Sequence, residues 1–524
     1  MQRLVIALVT LIGLTGAAVV AAYLLIFSAA TDRAAALAPA TSAVYVNVYL
    51  QPSTGQQMNL AGLIGRLPGF ADEASLDEKV DQVVENLLGD TGIDYRTQVK
   101  PWLGDQVAIA VWPKADDPTQ AETAILIGVS DRELAEAAAA DLGAQSGTTF
   151  ETETYQDVDL HVADGGSYAF VDDMLAVGST VEAVRTVVDV AGGAASLADR
   201  ADFVAAMDRL PADHLASAFA DLTTVADATG MEQPLDNYTT ASAALIAEED
   251  GLRISGSAPF DTGSAAPSAR DRFALGSEPS SLPDWMPEDT IAEAVVFGLR
   301  QTLEDAEAAI GATPEGEQVT STLDSLRAIA AFGLGVDLDA DVLPLFDREV
   351  GIAITGFDGD LPSGQLLLRP DDPDAAADAV GRIADRLSTI GGSRSTEDHA
   401  GIEITVLSIP DTVDVAYAVT DGILILGFSP GDVIAALDAH GGGASVGDTD
   451  AYRRAFDVAG TRAGAEAFVN IGPVVDLAGD QVELPADARD ILGQVGAFAL
   501  TLPSGENQIE FHAALTIDDA ASPN

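Results

Sequence analysis

Gly443-Ala444-Ser445-Val446-Gly447 matches the G-x-S-x-G pattern of a nucleophile elbow. An elbow needs a strand before the serine and a helix directly after it, so that the hydroxyl stands exposed to a base. Here a predicted helix, Val433 to Ala439, precedes the serine, and a related stretch at Gly193-Ala194-Ala195-Ser196-Leu197 lacks the pattern. The run reads as a flexible glycine loop. Asp337, Asp339 and Asp341 form a D-x-D-x-D run. A calcium loop wants Gly at its sixth position and Glu at its twelfth. Val342 and Arg348 stand there, so these carboxylates read as turn and cap groups, as do Asp116-Asp117-Pro118 and Asp371-Asp372-Pro373. His161, His214, His399, His440 and His512 have no partner at ligand spacing. The sequence contains no cysteine, which removes disulfides, thiolate metal sites and cysteine nucleophiles together. It also has no P-loop and no G-x-G-x-x-G. Carboxylates are so abundant that a glycosidase-like pair could be drawn anywhere, and none is chosen. The sequence thus assigns no catalytic residue, no metal ligand and no cofactor.

Three aromatic residues, Tyr95, Trp102 and Trp112, gather around one predicted strand in the first half. Their counterparts in the second half are Leu338, Leu345 and Thr355. They read either as core and edge packing or as a ligand or partner surface confined to the first half.

The elements that position these residues belong to a chain of 524 residues, long enough for two or more domains. Hydrophobic residues make up 48%, ample for packed cores. The formal charge is -58, from 83 acidic against 25 basic residues. That field repels nucleic acid and anionic membrane surfaces and admits basic partners and cations. Its origin is open between a composition poor in lysine and adaptation to high salt.

Leu4 to Phe27 is an uncharged apolar run, and Arg3 precedes it. A membrane span takes about 20 residues. The run therefore predicts an uncleaved N-terminal transmembrane helix in the cell membrane. The N-terminus would be cytoplasmic and the body extracytoplasmic. A cleaved signal peptide ending near Ser28-Ala29-Ala30 is the rival reading, and the run exceeds the usual apolar region of one.

The chain then runs through its elements twice. Gly92, Asp94, Val99, Pro101 and Val107 fall on Gly335, Asp337, Val342, Pro344 and Val350 at a constant offset of 243. Tyr168, Phe203 and Phe219 fall on Tyr417, Tyr452 and Phe468 at 249. Tyr168 to Asp189 and Tyr417 to Asp438 each read strand, two-residue turn, strand, glycine, capped helix. Asp421-Gly422 suits a type I′ turn, Ser429 a cap with Pro430 at the first helical position, and Ser179 with Glu182 a capping box. Gln51 to Gln57 reads as a break, Leu60 to Phe70 as a short helix and loop, and Ser75 to Leu88 as a helix matched by Val319 to Phe332.

This plan predicts an α+β fold. It is a tandem duplication of a mainly antiparallel sheet with helices packed on one face, preceded by one transmembrane helix. The expected parts are an anchor (1–30), a linker (31–36), a first repeat (37–260), a Ser/Pro/Gly-rich linker (261–284), a second repeat (285–517) and a tail (518–524).

Several features together resemble a known family. These are the N-terminal apolar segment, Leu37-Ala38-Pro39-Ala40 leading into the strand Val44-Tyr45-Val46, Leu67-Pro68-Gly69-Phe70, and Trp102-Leu103-Gly104-Asp105-Gln106-Val107. The chain is similar to the bacterial domain-of-unknown-function family 3352 over most of its predicted exported part. The resemblance implies an envelope protein with a duplicated extracytoplasmic body, and it transfers no catalytic residue. The expected function is a membrane-tethered, non-enzymatic binding or scaffolding protein with an envelope protein, glycan or lipid as partner. A carrier of an apolar ligand such as a lipid is the alternative, and a hydrolase with an unrecognised site is a second.

Overall fold

The structure is a computed structural model. It describes residues 32–67, 81, 94–146, 149–163, 165–229, 238–260, 275, 278–311, 316–358, 361–389, 391–408, 414–479, 492–505 and 507–519. The apolar run Leu4 to Phe27 lies outside these residues, as does the helix expected at Ser75 to Leu88 apart from Asp81. No described helix is long and apolar enough to cross a membrane. The described residues up to Phe260, with Asp519, form one compact unit, and those from there to Asp518 form the other.

The first unit runs β1 (Val44–Tyr49), α1 (Thr54–Arg66), β2 (Leu103–Pro113), β3 (Ala121–Val129), α2 (Arg132–Ser146), β4 (Glu151–Tyr155), β5 (Val158–Ala163), β6 (Gly166–Val171), β7 (Met174–Gly178), α3 (Val181–Ala191), α4 (Ala201–Met207), β8 (Ala216–Asp221), α5 (Leu222–Thr229), β9 (Thr240–Glu248) and β10 (Gly251–Pro259). The second runs β11 (Ala292–Phe297), α6 (Leu299–Gly311), α7 (Gly316–Ile329), β12 (Glu349–Asp358), β13 (Leu361–Arg369), α8 (Pro373–Thr389), β14 (Ser393–His399), β15 (Ile402–Ser408), β16 (Asp414–Thr420), β17 (Ile423–Gly427), α9 (Pro430–His440), α10 (Asp450–Ala459), β18 (Ala465–Asn470), α11 (Ile471–Gly479), β19 (Val495–Leu502) and β20 (Gln508–Ile517).

Within the first unit the antiparallel strand order is β10-β9-β8-β1-β2-β3-β7-β6-β5-β4. Within the second it is β20-β19-β18-β11-β12-β13-β17-β16-β15-β14, the same order. The duplication read from the sequence is therefore a duplication of topology.

Local chemistry explains the repeated strand-turn-strand-helix. Asp421 and Gly422 take φ of 49° and 76°, the two positive values a type I′ hairpin requires. Ser429 caps α9, accepting from Asp432 N at 3.3 Å, with Pro430 as the first helical residue. In the first unit the cap is Thr180, which accepts from Ala183 N at 3.1 Å, and not Ser179 as expected. The offset of 249 places Thr180, not Ser179, opposite Ser429. Ser179 instead accepts from Thr123 N at 3.2 Å. The break expected at Gln51 to Gln57 is another correction. Ser53 accepts from Gln56 N at 3.2 Å and starts α1. Leu60, Leu63 and Ile64 then bury one side of that helix.

The helices do not all pack on one face, which corrects the expected arrangement. On the first face Ala108, Ala110, Leu126, Ala169 and Ala176 pack under Ala183, Val184, Val187 and Val188 of α3. In the second unit Val295, Ala353, Leu367 and Ile425 pack with Val433, Ala436 and Leu437 of α9. The opposite face carries its own clusters. Trp102, Phe170 and Leu175 meet Ala135 of α2, and Val350, Leu368, Tyr417 and Leu424 meet Ala376, Val380 and Ala384 of α8. Strands apolar on both sides need cover on both sides.

Candidate functional site

Two features stand out: a set of carboxylates buried in the second unit, and an apolar row left partly open on the second face of each sheet.

The carboxylates sit on the first face. Glu293 lies on β11 beside Phe468 of β18 and Ala353 of β12. It is buried, and neither carboxyl oxygen has a hydrogen-bond partner. Burial holds its carboxyl well above the usual glutamate range, and the nearby Glu466 pushes the same way. Glu466 on β18 is also buried, and accepts from Arg462 Nε at 2.8 Å and Nη2 at 2.9 Å. Burial raises its carboxyl even against that bidentate partner. The Tyr452 hydroxyl donates to Glu466 Oε1 at 3.4 Å, and burial raises the phenol, with Glu466 and Glu293 adding to the shift. Arg462 also donates to the Ser280 carbonyl at 2.8 Å, while Ser280 Oγ donates to Glu349 at 2.8 Å. Arg369 donates to the other Glu349 oxygen at 2.9 Å. A surface cleft of about 360 Å³ lies beside this network, lined by Tyr452, Arg453, Phe456, Asp457, Thr461 and Arg462 with Gly447 and Gly460.

The first unit solves the same positions differently. Tyr45 takes the place of Glu293, paired across to Phe219 and Ala110, and its hydroxyl donates to Asp32 at 2.7 Å. Phe203 takes the place of Tyr452, and Ser217 that of Glu466. The exchange of Tyr45 for Glu293 was visible in the aligned copies, as a glutamate where an inward-facing strand position holds tyrosine. The sequence reading missed it because abundant acidic residues hide one more.

Chemically, Glu293 and Glu466 are sealed from solvent, while Arg462 reaches the cleft. No serine, threonine or histidine bonds to Glu293. The G-x-S-x-G serine is a cap: Ser445 Oγ donates to Asp448 at 3.0 Å, and Asp448 accepts from Ser445 N at 3.2 Å. Ser196 and Asp199 do the same in the first unit, so the two copies share this cap. Asp337 accepts from Asp339 N and Ala340 N at 3.0 and 3.1 Å, the cap role expected of it. Its counterpart Asp94 accepts from Thr97 N at 3.1 Å. His399 Nε2 lies 2.6 Å from Asp438 Oδ1. In the first unit Tyr155, at the equivalent place, donates to Asp189 at 2.9 Å, so this pair latches a hairpin to a helix in each copy. Among the described residues no group of three or more His, Asp or Glu could hold a metal ion.

Tyr95, Trp102 and Trp112 are all buried. Trp102 packs with Phe170, Leu175 and Ala135 and donates its indole N–H to the Gln98 carbonyl at 2.6 Å. Trp112 belongs to the core on the other face. The structure does not bring these two indoles together.

The apolar row is the feature that reaches solvent. Cross-strand register aligns Ala243, Ala218, Val46, Ile109, Ile125, Val177 and Tyr168 across β9-β8-β1-β2-β3-β7-β6. It aligns Leu500, Ala467, Ala294, Ile352, Leu366, Leu426 and Tyr417 across the matching strands of the second unit. At the centre of each row the cover is thin: Ile125 is 36% exposed and Ile352 is 46% exposed. In the first unit α1 lies toward β9 and α2 toward β6 and β7, so the row is an apolar floor between helical walls.

The model of the family described as "Protein of unknown function (DUF3352)" matches residues 4–515. The chain belongs to that family. No curated protein matches it. Among solved structures, crystal form III of TP0453 overlays with a TM-score of 0.26 at 9% identity, covering 47% of this chain and 86% of that one. Crystal form I gives 0.26 at 10% identity, over 48% and 86%. Likeness at that level carries no argument, and none is built on it.

Proposed function

We propose that this DUF3352 member is an extracytoplasmic binding protein of the cell envelope. It is tethered through Leu4 to Phe27, acts without catalysis, and takes an apolar ligand such as a lipid chain on the open row of its sheets. The observation that supports the reading is the row itself, present at one register in both units with Ile125 and Ile352 exposed at its centre. The strands beneath it are paired on both sides, so their backbone groups are spent on neighbours and cannot dock an added strand. Contact at the centre of the row runs through aliphatic side chains, with Tyr168 and Tyr417 at its ends, which suits an acyl chain.

Native mass spectrometry of the full chain, extracted in mild detergent and offered a lipid extract, tests this. The wild type should carry a lipid adduct, and Ile125→Glu with Ile352→Glu should lose most of it while keeping its circular dichroism. Equal occupancy in the two proteins, or no adduct on the wild type, would remove the proposal.

A further inference from the structure

The helices α6 and α7 carry apolar side chains beyond what their packing uses. The inward side of α7 is Thr320, Leu323 and Arg327, continued by the buried Ala330. Val319 and Leu326 stand seven residues apart on another side, and Ile329 follows three residues later. Leu326 is 50% exposed, Ile329 64%, and Phe332, in the π-helical turn that continues α7, 91%. Leu303 on α6 is exposed as well. A run of large apolar groups in solvent marks a contact surface.

Charge decides among the occupants. Among the described side chains of 299–334, Glu304, Asp305, Glu307 and Asp324 stand against Arg300 and Arg327. Both arginines are engaged, Arg300 with Glu304 at 2.8 Å and Asp347 at 3.2 Å, and Arg327 with Glu307 at 2.7 Å and Asp339 at 3.2 Å. A second copy of the chain would bring its own formal charge of -58 to the contact. An anionic bilayer surface is repelled for the same reason. We infer that this stripe seats a basic amphipathic helix of a partner protein, with Leu, Ile or Phe on one face and Lys or Arg along its flanks. Helix-on-stripe docking reads such anchors at three- and four-residue spacing, and opposite charge at the rim speeds and selects the encounter. The inference does not use the row on the sheets.

The test uses the purified full chain and labelled synthetic peptides of roughly 18 residues, or five turns. One is a Leu/Lys amphipathic helix, one its Leu/Glu counterpart, and one a Lys/Ser helix of equal charge without the apolar face. Fluorescence anisotropy should give saturable binding of the Leu/Lys peptide, weakened at least tenfold by Leu326→Ser with Phe332→Ser. The Lys/Ser peptide should bind weakly and alike to both proteins. Should the double variant lose helix content, Phe332→Ser alone carries the comparison. Equal binding of Leu/Lys to wild type and variant overturns the inference, as does Leu/Glu binding as well as Leu/Lys. A dimer of the wild type that Phe332→Ser dissociates, or flotation with zwitterionic vesicles that depends on Phe332, assigns the stripe to another occupant and overturns it too.

Discussion

Replacing Glu293 by Gln should flatten the pH dependence of the second unit's stability. The carboxyl is buried on β11 with no partner for either oxygen, beside a second buried glutamate. Its folded-state pKa lies well above the ordinary glutamate value. The unfolded chain releases the proton near pH 4.3, where an unperturbed glutamate titrates. Below that pH both states bind the proton and the group costs nothing through titration. As pH rises, the folded chain keeps a proton that the unfolded chain has lost, and stability falls by about 1.4 kcal/mol per pH unit until the folded carboxyl ionises. Between pH 5 and pH 7 this one group therefore removes up to about 2.7 kcal/mol. Gln keeps the shape and the neutral charge and has no proton to lose. Glu466 contributes a slope of the same sign, but it is present in both proteins and cancels in the difference. The assay is urea unfolding of the full chain read by pulsed hydrogen exchange at peptides from β11 and β18. The variant should lose less stability than the wild type from pH 5 to pH 7, by up to about 2.7 kcal/mol. Equal losses, within about 0.5 kcal/mol, would show that Glu293 ionises freely in the fold and would refute its sealed, neutral state.

Two further outcomes follow from the local structure. Thr180→Ala should destabilise the first unit by about 1 kcal/mol through loss of the α3 cap, whereas Ser179→Ala should stay within about 0.5 kcal/mol, both read by urea unfolding. Trp102→Ala should cost about 3–5 kcal/mol by the same measurement, as a large side chain removed from the packed cluster on α2, and Trp102→Phe should recover most of that.

What was legible in the sequence was whatever depends on a few neighbouring residues. Asp421-Gly422, Ser429-Pro430 and Asp337 act through their own turn or first helical turn, and each does what its type dictates. The duplication was legible because register held through Gly92 to Val107 and Gly335 to Val350. The Thr180 cap was one residue from the one chosen because a capping-box pattern was preferred over the repeat's own alignment. Helix α6 went unread although Leu299, Leu303 and Ile310 recur at helical spacing, because only Val319 to Phe332 was matched to the helix of the first half. The placement of helices on the second face escaped because strand alternation shows which residues share a face but not what covers it. The carboxylate network was the least legible part. Glu293, Arg462 and Glu466 are ordinary surface letters in a chain this acidic, and only cross-strand pairing turns them inward.

The two copies differ where they are buried and agree where they are open. Tyr45 and Glu293 are two solutions to the same inward position: Tyr45 donates to Asp32, whereas Glu293 leaves both carboxyl oxygens without a partner beside the Glu466–Arg462 pair. Folding tolerates either, because a core needs its volume filled more than a particular residue, and a Glu293 held protonated buries no charge. The second face poses a different question. An antiparallel sheet with one face toward solvent normally alternates apolar with polar residues. Val46, Ile109 and Ile125, and Ala294, Ile352 and Leu366, keep the outward positions apolar at the places where helical cover is thinnest. Leu366 packs against the second-face cluster under α8, but first-face packing does not require the rest, and Ile125 and Ile352 remain exposed. The apolar ligand proposed above would account for those two exposed positions, which makes Ile125 and Ile352 the positions at which the proposal is tested.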